Sequence, residues 1–227
     1  MKYLQRIALF VCVCLAACNS KPAETKSAET LFANFYIRYL ETEKLLKAEA
    51  FFLKGDSLKN AKPFQPEAGV SFQNSGTESR TLPNQSVRYG YENLADYPNK
   101  FEFKFENSNG EDQTQTFELN RAGNFSVQSE LSKSKGGELK LEEDKLAEGE
   151  SFVFLITDSE NQTVSLITKL DEDNAFKIPA EKLKELAVGE IKFYPVKKQV
   201  KEVTENGYHY TSTIEYYSRT YTFKLAE

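Results

Sequence analysis

The sequence has no tryptophan, one methionine, one histidine and three cysteines among its 227 residues. The cysteines, Cys12, Cys14 and Cys18, all lie within the first 18 residues. The rest of the chain therefore cannot form a disulfide bond, supply a thiol nucleophile or hold a metal through thiolates. The histidine, His209, lies beside the last turn signal of the chain, where we expect a structural cross-strand role.

Excess positive charge and the common catalytic motifs are also absent. The chain has 29 Lys and Arg residues against 34 Asp and Glu residues, a net charge of −5, whereas a nucleic-acid-binding domain carries a basic patch. No Gly-x-Ser-x-Gly, His-Glu-x-x-His, P-loop or Gly-x-Gly-x-x-Gly motif occurs. We therefore expect a protein that is not an enzyme, takes no cofactor and binds no nucleic acid.

The abundant carboxylates leave one enzymatic alternative open. Two of them could act as acid and base in an enzyme that cleaves polysaccharide or cell wall, although the acidic cluster at residues 142–144 is typical of a solvated loop. Residues 171–174 offer oxygen ligands at alternate positions, as a calcium loop does, but lack the glycine and distal glutamate of an EF-hand. We interpret them as a polar turn and predict no metal site.

The first 17 residues have the features of a secretion signal. Lys2 and Arg6 precede an apolar run from residue 7 to residue 17, which is too short for a membrane-spanning helix of about 20 residues. We predict that residues 1–17 are a signal peptide. Its removal takes two of the 29 basic residues and leaves a net charge of −7.

The apolar run ends in Leu15-Ala16-Ala17-Cys18, which resembles the bacterial lipobox. The resemblance implies a diacylglyceryl group on the Cys18 thiol, cleavage before Cys18 and, in Gram-negative bacteria, a further acyl chain such as palmitate on the new N-terminus. Several acyl chains together anchor a protein to a membrane almost permanently. Asn19 follows the cysteine, which by resemblance to enterobacterial sorting favours the outer membrane. We expect a lipid-anchored protein of the cell envelope.

The segment after Cys18 divides into a tether and an ambiguous region. Residues 18–30 contain no large apolar side chain and predict a flexible tether with a reach of roughly 20 Å. Residues 31–53 fit a helix by one spacing of apolar residues and a β-hairpin turning near residues 41–43 by another. We favour the hairpin because the downstream segments alternate as strands.

The rest of the chain predicts a β protein of two halves. Alternating segments occur at residues 70–72, 87–91, 101–105, 114–119, 125–127, 138–141, 152–157, 163–168, 175–178, 191–203 and 208–225. Residues 179–186 predict one short helix, which begins at Pro179 and directs Leu183 and Leu186 to the core. We predict a mainly β fold of tandem immunoglobulin-like β-sandwiches, residues 31–121 and 122–227.

The combination of a lipobox with β-sandwich modules resembles uncharacterised envelope lipoproteins of Bacteroidota. A tyrosine-rich C-terminal hairpin is the candidate contact surface, with Tyr208, Tyr210 and Tyr217 as its residues, because exposed tyrosines bind proteins and sugars well. The alternative is that tyrosine simply favours half-buried strand positions. We expect a non-enzymatic module that binds or scaffolds another envelope protein or a glycan.

Overall fold

The structure is a computed structural model that describes residues 29–142, 146–168, 174–205 and 207–227. The predicted signal peptide, Cys18 and most of the predicted tether lie outside these residues. So do residues 143–144 of the acidic cluster and residues 171–173 of the calcium-like turn.

The described residues form eighteen strands and one four-residue helix. In chain order they are β1 Thr30–Leu40, β2 Leu45–Gly55, β3 Lys62–Pro63, β4 Val70–Phe72, β5 Ser75–Gly76, β6 Glu78–Thr81, β7 Val87–Leu94, β8 Lys100–Glu106, β9 Asp112–Glu118, β10 Asn124–Val127, β11 Leu131–Ser132, β12 Gly137–Glu142, β13 Glu150–Thr157, β14 Thr163–Thr168, β15 Ala175–Ile178, α1 Ala180–Leu183, β16 Gly189–Glu205, β17 Tyr208–Tyr217 and β18 Tyr221–Ala226. Among these residues, no helix is long or apolar enough to cross a membrane.

The first ambiguous segment is a β-hairpin, as we favoured. β1 and β2 pair antiparallel from Thr30↔Gly55 to Leu40↔Leu45 around a turn at residues 41–44. Buried and partly exposed residues alternate along both strands, because successive side chains of a strand point to opposite faces. That alternation places one side of the hairpin in the core and the other on the outer surface.

The strands form three sheets. The large sheet has eleven strands, and its main path is β11-β18-β16-β17-β1-β2-β7-β6. β13 pairs with the other edge of β16 and also with β14, while β3 pairs with β2. The two small sheets are β5-β4-β8-β9 and β10-β12-β15.

Each small sheet packs on the same face of the large sheet and closes a separate hydrophobic core. In the first core, Phe103 of β8 lies 4.9 Å from Phe35 of β1 between ring centroids. In the second core, Phe176 of β15 stacks 4.0 Å from Phe154 of β13. The predicted fold class, mainly β with sandwich modules in tandem, is confirmed.

The sequence-based division into two independent halves at residues 121–122 needs a correction. β17, from the second half, pairs in parallel with β1 from Leu31↔Tyr208 to Leu40↔Tyr217. Ile214 and Tyr216 of β17 belong to the first core. One continuous sheet therefore joins both halves, and the first sandwich needs a strand from near the C-terminus. Turn and loop residues in the sequence could not reveal this pairing, because the paired strands are about 177 residues apart.

β16 belongs to both sandwiches and crosses the boundary between the two cores, which we call the seam. Lys197 of β16 lies opposite Tyr216 of the first core on one side and Phe152 of the second core on the other. The Lys197 side chain is buried, and its Nζ lies 3.1 Å from Oε2 of the buried Glu150. A buried ion pair thus separates two aromatic clusters.

The helix is shorter than the predicted residues 179–186, since α1 covers only Ala180–Leu183, but both predicted leucines reach the core. Pro179 precedes α1, and Leu183 and Leu186 are fully buried in the second core. Asp158 anchors the chain just after them, because its carboxylate accepts the backbone N–H of Ala187 at 2.7 Å.

Candidate functional site

The structure separates the three tyrosines that the sequence grouped as a contact surface. Tyr208 and Tyr210 lie on the face of β17 that packs against the first core, where the Tyr210 ring is 6.1 Å from Phe35. Tyr217 lies an odd number of residues from Tyr208 along β17, so its side chain points to the outer face, where it is half-buried. Of the three, only Tyr217 therefore belongs to the outer surface of the large sheet.

Tyr217 is one of several outer-face side chains gathered around Glu215. The Glu215 carboxylate accepts hydrogen bonds from the Tyr36 hydroxyl at 2.5 Å and the Tyr217 hydroxyl at 3.0 Å. Lys198 Nζ lies 3.4 Å and Arg38 Nη2 3.5 Å from the same carboxylate. Side chains from three neighbouring strands thus hold one carboxylate.

This environment keeps Glu215 ionised. Partial burial raises the pKa of the carboxyl, but the hydrogen bonds from Tyr36 and Tyr217 and the positive charge of Lys198 outweigh burial, so the pKa falls below its ordinary value. The Arg38 guanidinium also lies over the Tyr217 ring, 4.9 Å from its centroid, within the range of a cation–π contact. The cluster fixes the orientation of Tyr217 on the outer face.

An unbroken line of apolar side chains crosses the outer face at the level of Tyr217. Consecutive members lie directly opposite one another on seven neighbouring strands, so they share one face. We call this line the apolar row: Leu94, Leu45, Leu40, Tyr217, Val196, Val153 and Ile167. At about 4.8 Å between strands, the row is about 30 Å long.

Both ends of the apolar row are exposed to solvent. Leu94 is 71% exposed and Ile167 is 80% exposed, while the members between them are half-buried or buried by their neighbours. The two small sheets pack on the opposite face of the large sheet. Exposure is therefore concentrated at the two ends of the row, and Val196 within it is only 4% exposed.

A second line of side chains runs parallel to the apolar row, displaced from it by two residues on each strand. Its members are charged. We call it the charged row: Glu92, Lys47, Arg38, Glu215 and Lys198. Its acidic and basic members pair across strands, as in Lys47 Nζ to Glu92 Oε2 at 2.8 Å. The outer face therefore has an apolar line bordered by a line of paired charges with one positive charge in excess.

His209 is also on the outer face and has the structural surroundings that we expected. Its Nδ1 lies 2.7 Å from the Thr204 hydroxyl and its Nε2 3.5 Å from a Glu202 carboxylate oxygen. Within the described ranges, no group of three or more His, Cys, Asp or Glu side chains is placed to hold a metal ion.

Sequence reasoning missed most of the outer-face residues. The alternation in residues 31–53 could have placed Tyr36, Arg38 and Leu40 on one side of a strand. Nothing in the local sequence indicated that Glu215 and Tyr217 would lie beside them, because the β1–β17 pairing is parallel and distant in sequence. The apolar row exists only once the strand order is known.

The comparisons with known proteins add little. Neither a protein-family model nor a curated protein matches the chain. Among solved structures, a tetra-tandem repeat in the extending region of a large adhesion protein is similar at 10% identity with a TM-score of 0.30. That similarity covers 86% of this chain and 50% of the other, so the chain spans about half the length of that structure. At this TM-score the similarity carries no argument.

Proposed function

We propose that the protein is a lipid-anchored envelope lipoprotein that acts as a non-enzymatic binding module and docks another envelope protein on the apolar row. The observation that carries the proposal is the row itself, which crosses seven strands and ends in two exposed aliphatic side chains. Protein interfaces combine such an apolar centre with a polar border.

The composition of the row favours a protein partner over a glycan for this face. Six of its seven members are leucine, valine or isoleucine, which bury well against another apolar surface but offer no hydrogen bonds to sugar hydroxyls. Tyr217, near the middle of the row, is of a residue type enriched at the energetic centres of interfaces. Its contacts with Arg38 and Glu215 hold it in place before binding, which reduces the entropy lost on association.

A crosslinking pull-down of the lipidated protein from its own membranes tests the docking proposal. Leu94→Glu and Ile167→Glu each place a charge at an end of the row, and each should abolish capture of the partner. Leu58→Glu is the matched control, because Leu58 is 60% exposed but lies on the turn after β2, away from the row. Equal capture by all three variants, or loss with Leu58→Glu alone, would place the interface elsewhere.

The anchor is tested separately by Cys18→Ser. Because Cys18 would carry the lipid, this variant should remain uncleaved and unlipidated. Wild-type protein should fractionate with membranes and label with palmitate analogues. Acylation and cleavage before residue 18 in the Cys18→Ser variant would contradict the lipoprotein proposal and leave the docking proposal standing.

A further inference from the structure

A polar cleft lies at the end of the first sandwich where the described chain begins. It opens between the β8–β9 turn of the small sheet and the adjoining ends of β16 and β17 in the large sheet, next to Glu29. Its volume is about 610 Å³, within the usual range for small-molecule sites. The apolar row and the Glu215 cluster contribute no residue to it.

Two glutamines line the cleft at positions that face between the layers of the sandwich. Gln113 lies opposite Phe105 and Gln115 opposite Phe103, and both phenylalanines are buried in the first core. The edge strand β9 thus carries amides on the face where its neighbour carries aromatic rings. Neither amide forms a side-chain hydrogen bond with the described residues, so both are available to a ligand.

Tyr208 supplies an aromatic surface and carries a buried hydroxyl. Its ring lies 6.1 Å from Phe105 and 5.5 Å from Tyr210, which fixes it between the layers. Its hydroxyl is buried and, among the described residues, has no hydrogen-bond partner. Burial raises the pKa of this hydroxyl, so it remains a donor at neutral pH. This hydroxyl is closed off from the cleft, so only the ring of Tyr208 is offered to a ligand.

The wall of the cleft is rigid and its charge is negative. The Asn107 carboxamide oxygen accepts the backbone N–H groups of Asn109 and Glu111 at 2.9 and 3.0 Å, which locks the β8–β9 turn. Glu111 and Glu205 line the cleft, and its lysine, Lys54, already pairs with Glu29 at 2.8 Å. Anionic ligands are therefore disfavoured.

We infer that this cleft binds a short neutral glycan, whose hydroxyls pair with the Gln113 and Gln115 amides beside the Tyr208 ring. Paired amides and carboxylates beside a tyrosine offer both donors and acceptors, as a polyhydroxylated ligand requires. The inference uses a surface separate from the apolar row and stands independently of the protein-docking proposal. The neutral sugar could belong to a free glycan or to the headgroup of a glycolipid.

Calorimetric titration of the full detergent-solubilised protein with a panel of neutral oligosaccharides, including maltotriose and triacetylchitotriose, tests the inference. At least one should bind, and the double variant Gln113→Ala/Gln115→Ala should weaken binding at least tenfold. Tyr208→Phe keeps the ring and removes only the buried hydroxyl, so it should bind as wild type does without a lower melting temperature. Gln162→Ala, an exposed glutamine on the β13–β14 turn, should bind as wild type does.

A flotation assay distinguishes the two sources of sugar. Protein that binds vesicles containing a neutral galactolipid more strongly than plain phospholipid vesicles, with the same loss in the double variant, identifies a glycolipid headgroup; binding to soluble sugars alone identifies a free glycan. Absence of binding in both assays, or binding that the double variant leaves unchanged, overturns the inference. Stronger binding of a sulfated trisaccharide than of its neutral counterpart overturns the assigned charge class.

Discussion

At the scale of single residues, the negative charge of Glu215 holds the side chains around it on the outer face. Glu215→Gln keeps the shape of the side chain but removes the negative charge that Tyr36, Tyr217 and Lys198 contact. Because hydrogen bonds to a charged group contribute more than neutral ones, we expect the free energy of unfolding to fall by roughly 1–2 kcal/mol. Chemical denaturation measures this, and Glu92→Gln, which alters an exposed ion pair, should change stability by less than about 0.5 kcal/mol.

The same residue predicts a pH dependence. The pKa of Glu215 is lower in the folded protein than its ordinary value of 4.5, so its contribution to stability is complete above the unfolded pKa and disappears as the pH falls through the folded pKa. The stability difference between wild type and Glu215→Gln should therefore be constant from neutral pH to about pH 5 and shrink below it. A difference that grows on acidification would contradict this assignment.

The buried pair at the seam gives a second residue-scale prediction. Lys197→Ala leaves the buried Glu150 carboxylate without its cation, which should destabilise the protein by roughly 3–5 kcal/mol. Lys197→Met/Glu150→Gln removes both charges while the glutamine oxygen can still accept the Ala147 backbone N–H. We expect thermal denaturation to show recovery of most of the loss in the double variant. A double variant as unstable as Lys197→Ala would mean that the unpaired Glu150 charge is not the cause of the loss.

Local periodicity predicted the direction of many side chains but not the exceptions. The helical spacing of Leu183 and Leu186 was sufficient to assign both to the core, whereas grouping Tyr217 with Tyr208 and Tyr210 ignored the alternation that places them on opposite faces. Lys197 was not foreseeable as a buried residue, since lysine is almost always exposed unless it is paired. Its partner Glu150 is 47 positions away and reaches it only through the β13–β16 register.

At the scale of secondary-structure elements, the turn between β11 and β12 depends on a glycine. Gly136 has φ +79°, and a Cβ atom there would collide with the Ile178 carbonyl oxygen and the Ala180 backbone nitrogen. Gly136→Ala should therefore lower stability by about 2–3 kcal/mol through strain and steric displacement. Gly76→Ala is the control, because Gly76 has no such φ and open space around it, and its unfolding free energy should stay within about 0.5 kcal/mol of wild type. Equal losses would refute the steric argument.

Elements that are close in sequence were predictable, and their distant pairings were not. The β8–β9 hairpin turns at Asn107–Glu111 with Gly110 at φ +76°, a conformation that glycine adopts at little steric cost. The prediction of a hairpin at residues 31–53 depended on a comparison with downstream segments, because its apolar residues fit both helical and strand spacing. The parallel pairing of β1 with β17 has no local signal, since parallel neighbours need a long connection and share no turn.

At the scale of the whole molecule, the shared sheet links fold to proposed function. Three members of the apolar row come from strands of the first half of the chain and four from the second half. The row therefore exists only while both halves are folded and β1 is paired with β17. A partner that docks on it would recognise the assembled protein and not either half alone.

The sheet also predicts that the first sandwich cannot fold without β17. A fragment of residues 29–121 lacks Ile214 and Tyr216 from its core and leaves the whole edge of β1 unpaired. Loss of two buried side chains of this size costs several kcal/mol, comparable with the total stability of a small domain. We expect the fragment to show no cooperative thermal transition by circular dichroism.

The same fragment with residues 208–217 attached to its N-terminus through a flexible linker of about 20 residues should regain a cooperative transition, since that length lets the segment lie parallel to β1. An otherwise identical chain with Ile214→Ser and Tyr216→Ser should remain unfolded, because it restores the pairing without the core. If residues 29–121 alone melt cooperatively within a few degrees of the full-length protein, β17 is an accessory to the first sandwich and the two halves are separate domains after all.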